Sequence, residues 1–222
     1  MKKLLVASAL TLSTLSSAQV LWNITRFGLT GGVNYSSVSR AHNPAGARYA
    51  SQVGVLALIP VGIANQFYIQ PEVLYYGAGE TGRNKKAKGK DGYNAVYANN
   101  YVSVPLFLKT YFSGDESEMF GLIGPRFNFL LNQKVRNVPT LRPYYDPDVT
   151  DPAQPEVNGK AKNFNWGLGF GLGYSYKRQL EVTVQYDLGL SDTYPGLAKE
   201  KHGTDNKKSE QVVALTLSYI FN

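Results

Sequence analysis

Residues 164–190 carry the clearest alternation in the chain. Phe164, Trp166, Leu168, Phe170, Leu172, Tyr174 and Tyr176 take every second position, with Asn165, Gly167, Gly169, Gly171, Gly173 and Ser175 between them. Leu180, Val182, Val184, Tyr186, Leu188 and Leu190 then alternate with Glu181, Thr183, Gln185 and Asp187. A period of two belongs to a strand, whose side chains point to opposite faces in turn. A turn at Lys177, Arg178 and Gln179 sets Leu172 opposite Val184, Phe170 opposite Tyr186, Gly171 opposite Gln185 and Gly169 opposite Asp187. All apolar residues then share one face. That face is long enough for a bilayer core, which takes roughly 9–11 tilted residues per strand. The pattern predicts two transmembrane strands, apolar toward lipid and small or polar toward a lumen.

The same alternation recurs along the chain. Residues 26–37 form a first strand, with Phe27, Leu29, Val33 and Tyr35 against Arg26, Gly28, Thr30, Gly32 and Asn34. Residues 49–60 form a second, whose facing is ambiguous because Leu56 and Leu58 break the period. Residues 67–76 form a third, with Gln70 and Glu72 on one face and Ile69, Val73 and Tyr75 on the other. In residues 96–112, Val102, Val104, Leu106 and Leu108 oppose Tyr101, Ser103, Phe107 and Lys109. In residues 117–133, Met119, Ile123, Phe127 and Phe129 oppose Arg126 and Asn128. An eighth strand lies in residues 208–221, with Val213, Leu215, Leu217, Tyr219 and Phe221 in step.

Turn residues separate these strands, and the connections alternate long and short. The long ones are 38–48, 77–95, 134–162 and 191–207; the short ones are 61–66, 113–116 and 177–179. Short periplasmic turns and long outer loops are the asymmetry of outer-membrane barrels. The predicted fold is all-β, an eight-stranded antiparallel up-and-down transmembrane β-barrel. Tyr174, Tyr176, Tyr219, Phe221 and Phe67 fall near the short-turn end. Phe164, Trp166, Tyr35 and Tyr75 fall near the long-loop end. Two aromatic girdles follow. The competing architecture is a soluble lipocalin-like barrel, with the apolar face turned inward around a ligand. Pro71, Pro105 and Pro125 sit inside strands, where a missing N–H breaks the ladder, so bulges or strained pairing are expected there.

Composition changes the picture in three ways. Mean hydropathy is only −0.24, which half-polar strands explain. Cys is absent from the 222 residues, which excludes a disulfide framework, a thiolate nucleophile and a Cys-ligated metal. The start is a signal peptide: basic Met1-Lys2-Lys3, an apolar stretch from Leu4 to Leu15, and small residues Ser16, Ser17 and Ala18. Residues 1–18 are therefore expected to be removed, leaving 19–222 as the barrel domain in the outer membrane of a Gram-negative cell.

Several stretches carry a family likeness. They are Phe27-Gly28-Leu29-Thr30-Gly31-Gly32-Val33-Asn34, Tyr68-Ile69-Gln70-Pro71-Glu72-Val73-Leu74-Tyr75, Tyr101-Val102-Ser103-Val104-Pro105-Leu106 and Gly124-Pro125. With the Gly-rich sixth strand and the final Tyr219-Ile220-Phe221, the chain resembles the PorT-like outer-membrane β-barrel proteins of Bacteroidota. The resemblance implies fold and location and little about activity. It makes the prolines family features. The family's namesake assists a secretion system.

An eight-stranded barrel has an interior just wide enough for side chains to fill. The predicted lumen contains Glu72, Lys109, Arg126, Glu181 and Asp187, and buried charges persist when paired and hydrogen-bonded. Such a set makes a structural plug; the alternative is a narrow path for ions or small solutes. His42 and His202 are the candidate imidazole bases, and both fall in outer loops. His42 lies near Ser36, Ser37 and Ser39, as an acylhydrolase would need, yet no acid is near it in sequence, and a solvated loop histidine is expected. Asp146, Asp148 and Asp151 are too few oxygens, among too many prolines, for a calcium loop. No cofactor, metal or catalytic residue is assigned.

The net charge of +7 has a local source. Arg83, Lys85, Lys86, Lys88 and Lys90 face only Glu80 and Asp91 in a Gly-rich loop, where flexible lysines suit phosphate as point charges. The expected partners are outer-membrane lipid and lipopolysaccharide, the barrel-assembly machinery and a protein partner the sequence does not name; nucleic acid is not among them. The sequence points to a non-enzymatic structural or surface-interaction role through outer loops. The alternatives are a porin-like channel and an accessory of a secretion system.

Overall fold

A computed structural model describes residues 24–42, 44–61, 66–90, 92–137, 159–197 and 207–221. Eight strands close into one antiparallel barrel in chain order. They are β1 (Arg26–Val38), β2 (Gly46–Val61), β3 (Phe67–Thr81), β4 (Val96–Tyr111), β5 (Glu118–Arg136), β6 (Phe164–Tyr176), β7 (Leu180–Gly189) and β8 (Glu210–Ile220). β1 pairs with β8, so no edge remains. The central hairpin has the register its alternation predicts: Leu172 faces Val184, Phe170 faces Tyr186, Gly171 faces Gln185 and Gly169 faces Asp187.

The apolar face points outward. Phe27 is 63% exposed, Leu172 60% and Val184 56%. A band of exposed apolar side chains runs round every strand, as lipid requires and water would oppose. This facing excludes the lipocalin-like alternative, whose apolar residues would point in. Toward the long-connection end the band stops at Tyr35, Tyr49, Tyr75, Leu131, Phe164 and Val213. Beyond Leu131, β5 exposes Asn132, Lys134 and Arg136. β2 to β5 therefore overhang the membrane on that side.

The interior resolves the facing of β2 that the sequence leaves ambiguous. Leu56 and Leu58, which break the alternation of β2, point inward at 2% and 0% exposure. They join Tyr68, Phe107, Tyr111, Phe120, Leu122 and Ile220 in an apolar cluster toward the short-turn end. The bare glycine face of β6 receives this cluster. A Cβ on Gly173 would lie 2.3 Å from Phe120 Cζ, and one on Gly169 would lie 2.7 Å from Phe107 Cε1. Glycine on β6 makes room for aromatic rings from β4 and β5, not for a channel.

The prolines do not sit at bulges. The Pro71–Leu106, Pro105–Arg126 and Pro125–Leu168 pairs toward the following strand are kept. Toward the preceding strand, pairing lapses beside each proline and resumes in the same register, from Leu56–Glu72 to Ile59–Ile69 for Pro71. The missing N–H thus interrupts a ladder locally without shifting it. The register shifts lie elsewhere, between Ala47 and Gln52 on β2 and between Asn100 and Tyr101 on β4, both toward the overhang. There the strands leave the membrane and no lipid-facing period has to be kept.

Candidate functional site

The five predicted interior charges are all buried, and the fold brings four of them together in two ion pairs, with Glu72 beside them. Lys109 on β4 is ion-paired with Glu181 on β7. Its ammonium also lies 4.0 Å from the centre of the Phe120 ring, and Tyr111 donates to Glu181 at 2.6 Å. Arg126 on β5 places Nε 3.2 Å from Asp187 Oδ1. This contact is ionic only, because its angle leaves Nε without a hydrogen-bond partner. The Arg126 guanidinium donates to Ser103 at 3.0 Å and lies 4.7 Å from the centre of the Tyr76 ring. Asp187 accepts from Gln185 at 2.6 Å and from Tyr76 at 3.1 Å. Glu72 accepts from Gln70 at 2.7 Å and feels the charges of Arg126 and Lys109. Tyr76, Tyr111, Gln70 and Gln185 are partners the sequence reading did not single out, although inward periodicity marks Gln70 and Gln185. A cavity of about 20 Å³ beside Arg126, Asp187 and Glu210 has room for about one water. The arrangement is a plug.

Above it, the described parts of the long connections pack together over the mouth. Val38, Ala41, Ala161, Tyr194 and Leu197 form a second apolar cluster, against which Leu130 packs. Ser39 N–H donates to the Ser209 carbonyl at 2.9 Å, and Thr193 N–H donates to the Lys208 carbonyl at 2.8 Å. Asn99 donates to the Tyr194 hydroxyl at 2.9 Å.

His42 belongs to this cap, which corrects the expectation of a solvated histidine without an acid. It is buried, is paired through Nδ1 with Glu80, and stacks on Tyr97 with ring centres 3.5 Å apart. Glu80 was not recognisable as its partner because the residues stand 38 positions apart. Burial pushes the Glu80 carboxyl up from its ordinary value against the pull of His42. Glu210, also above the apolar band, is pushed up to about 7 by burial. Among the described residues no serine hydroxyl is bonded to the His42–Glu80 pair: Ser36 donates instead to the Gly79 carbonyl at 2.8 Å, and Gln211 donates to Ser39 at 3.3 Å. His202, Asp146, Asp148 and Asp151 lie outside the described residues, as do residues 1–18. Among the described residues no group of His, Cys, Asp and Glu could hold a metal ion.

The basic loop is shorter than the sequence suggests, because β3 runs on through Gly77 and Gly79 to Thr81. Gly79 has a φ of +110°, and a Cβ there would lie 2.1 Å from the Tyr97 carbonyl oxygen. Only glycine lets the overhanging strand pack so closely. Lys85–Ala87 forms a 3₁₀ turn capped by the Asn84 side chain, which accepts from Lys86 N–H at 3.1 Å. Arg83, Lys85, Lys86, Lys88 and Lys90 are all exposed.

A closed antiparallel barrel with a lipid-facing apolar band and a plugged interior is an outer-membrane β-barrel by construction. The family model described as outer membrane protein beta-barrel domain matches residues 17–194, and the chain belongs to that family. No curated protein matches it in sequence. Among solved structures it is similar to Ail, the attachment invasion locus protein of Yersinia pestis, at 10% identity and a TM-score of 0.44, covering 88% of this chain and 98% of that one. Neisserial surface protein A aligns at 11% identity and a TM-score of 0.44, covering 89% and 97%. A major outer membrane protein of Thermus thermophilus aligns at 14% identity and a TM-score of 0.44, covering 89% and 100%.

Proposed function

We propose that this outer-membrane barrel is a non-enzymatic surface-interaction protein that works through its outer end. The observation that carries the reading is the contrast between the two halves of the molecule. Paired charges and aromatic rings fill the interior and the connections cover the mouth. The overhanging strands and the 82–95 connection meanwhile display cations, from Lys134 and Arg136 to the Arg83–Lys90 cluster. A filled interior argues against the ion-path alternative. The partner proposed is anionic glycolipid such as lipopolysaccharide, or an acidic surface protein, met by Arg83, Lys85, Lys86, Lys88 and Lys90. The finer affiliation to PorT-like proteins of Bacteroidota rests on the motifs around Pro71, Pro105 and Pro125, and an accessory role in secretion would be one form of surface interaction. Export by a signal peptide ending at Ala18 and insertion by the barrel-assembly machinery complete the proposal; N-terminal sequencing of the mature protein should begin at Gln19.

The test replaces Lys85, Lys86, Lys88 and Lys90 with Gln and measures lipopolysaccharide binding across a salt series. Weaker binding with a shallower salt slope is expected, since exposed charge contacts are screened. Equal affinity and equal slope would remove the loop from this role. Planar-bilayer recordings should show no steady conductance; a reproducible single-channel step would restore the channel.

A further inference from the structure

A groove on the outer wall of the barrel lies where the apolar band ends. It is lined by Tyr35 and Tyr49 below and by Arg48, Thr81, Arg83 and Val96 above. Its volume is about 520 Å³. The two tyrosines are in ring contact at 5.0 Å and are 48% and 78% exposed, so they mark the aromatic girdle on this side. Aromatic girdles sit at headgroup depth. The irregular stretch of β2 between Ala47 and Gln52 turns Arg48 over the glycine-rich end of β3, where its guanidinium donates to the Ala78 carbonyl at 2.7 Å. That bond holds the guanidinium at the groove, which Arg48 lines. Arg83 is exposed on the same rim, and its backbone is held by Thr81, whose hydroxyl accepts from the Arg83 N–H at 3.3 Å. Neither arginine has a carboxylate within ion-pair distance among the described residues; half-buried Arg48 feels the more distant Glu210 carboxylate as well as the like charge of Arg136.

Two guanidinium groups without an ion-paired carboxylate among the described residues, directly above an aromatic girdle on the lipid side of a membrane wall, offer the donors that a phosphate takes. We propose that this groove binds the phosphate-bearing headgroup of a lipid in the outer leaflet, with Arg48 and Arg83 on the phosphate and Tyr35 and Tyr49 on the first carbons below it. The inference deepens the surface-interaction reading and rests on it. It moves the specific contact from the exposed lysines to a groove on the strands. Lysines 85 to 90 then supply screening attraction, and the arginines supply geometry.

The experiment is native mass spectrometry of the full chain, released from detergent with diphosphorylated lipid A, with the same lipid stripped of phosphate, or with inorganic phosphate alone. The wild type should retain one phosphorylated lipid. Arg48→Gln with Arg83→Gln should weaken retention about tenfold or more, while the four-lysine variant, slower to capture lipopolysaccharide at low salt, should lose much less of the lipid once it is bound. The exposed Arg83→Gln alone serves as the second variant; it touches no packed interior and should lose part of the retention. Unchanged heat-dependent gel mobility confirms that each variant is folded. Equal retention of phosphorylated and stripped lipid would overturn the proposal. So would competition by inorganic phosphate at the same concentration as lipid, which would mark a site for the free ion. Loss in the lysine variant with none in the arginine variant would sink the groove and leave the surface-interaction reading standing. Loss in neither variant would remove both.

Discussion

Arg126 on β5 reaches Asp187 on β7 across the whole width of β6, with Nε 3.2 Å from Oδ1. The contact exists because β6 presents glycine beneath it: Gly167 pairs with Arg126 and Gly169 pairs with Asp187. A Cβ on Gly169 would stand 2.8 Å from Asp187 Oδ1. The Gly-rich face is therefore what lets two non-adjacent strands share a charge pair.

Breaking that pair should be costly. Arg126→Met leaves Asp187 buried with only neutral donors, Tyr76 and Gln185. Removing one partner of a buried pair typically costs about 3–5 kcal/mol. Urea unfolding in lipid vesicles, followed by gel mobility, should show that loss. Adding Asp187→Leu should recover part of it, because Asp187 is then no longer an orphan charge, while Glu72 still lacks the Arg126 charge beside it.

Glycine itself can be tested at the same place. Gly169→Val would push into Phe107 and Asp187 and should destabilise the barrel by about 1–3 kcal/mol, the range for overpacking. Phe107→Leu added to it should cost less than the two changes summed, since the smaller side chain makes room. Simple additivity would mean that Phe107 does not fill the space above Gly169.

The lipid face gives a sharper contrast. Val184 and Leu172 pair across the hairpin and are among the most exposed apolar residues. Val184→Lys should impair folding into bilayers by roughly 2–4 kcal/mol, the cost of a cation at mid-membrane. The same variant in short-chain detergent should be affected less, because the detergent belt admits water.

Alternation made most of this architecture readable. The hairpin register, the facing of β1, β3 and β4 and the five interior charges follow from a period of two and from turn positions. Three features were hidden for physical reasons. Leu56 and Leu58 are apolar on both readings, and only the rings of Phe107 and Phe120 inside the barrel explain why they turn in. His42 and Glu80 meet through strand extension above the membrane, where no lipid imposes a pattern. Arg48 owes its position to an irregular stretch of β2, and a register shift leaves no mark in side-chain type.

Stability of the cap should depend on pH. Glu210 is pushed up to about 7 and Glu80 is raised, both by burial. Between the ordinary carboxylate range and about 7, the folded chain holds more protons than the unfolded chain. Stability then falls as pH rises through that window. Thermal unfolding midpoints should drop from pH 5 to pH 8, and Glu210→Gln should flatten the curve. A wild-type midpoint that rises over this range would contradict the assignment.

The β6–β7 turn sets two effects against each other. Lys177 and Arg178 both hold φ near +52°, a left-handed conformation unfavourable for side chains other than Gly, Asn and Asp. The turn closes by a 3.1 Å bond from Gln179 N–H to the Tyr176 carbonyl. Arg178 compensates for its own strain: it donates to Glu118 at 2.5 Å, to the Asp115 carbonyl at 3.1 Å and to Tyr68 at 3.3 Å, tying this turn to the β4–β5 turn. Lys177 N–H donates to the Ser117 hydroxyl at 3.0 Å, a bond any residue here would keep, but among the described residues its side chain has only a ring contact, 5.5 Å from the centre of Tyr176. Lys177→Asn should therefore stabilise the barrel by about 1 kcal/mol, the scale of one relieved left-handed residue. Arg178→Gly relieves the same strain but removes charge-assisted bonds worth about 1.5–3 kcal/mol each, so it should be a net loss. Unfolding of both variants in urea decides it: opposite signs are expected, and a gain in both would mean that the Arg178 contacts contribute less than the strain they offset.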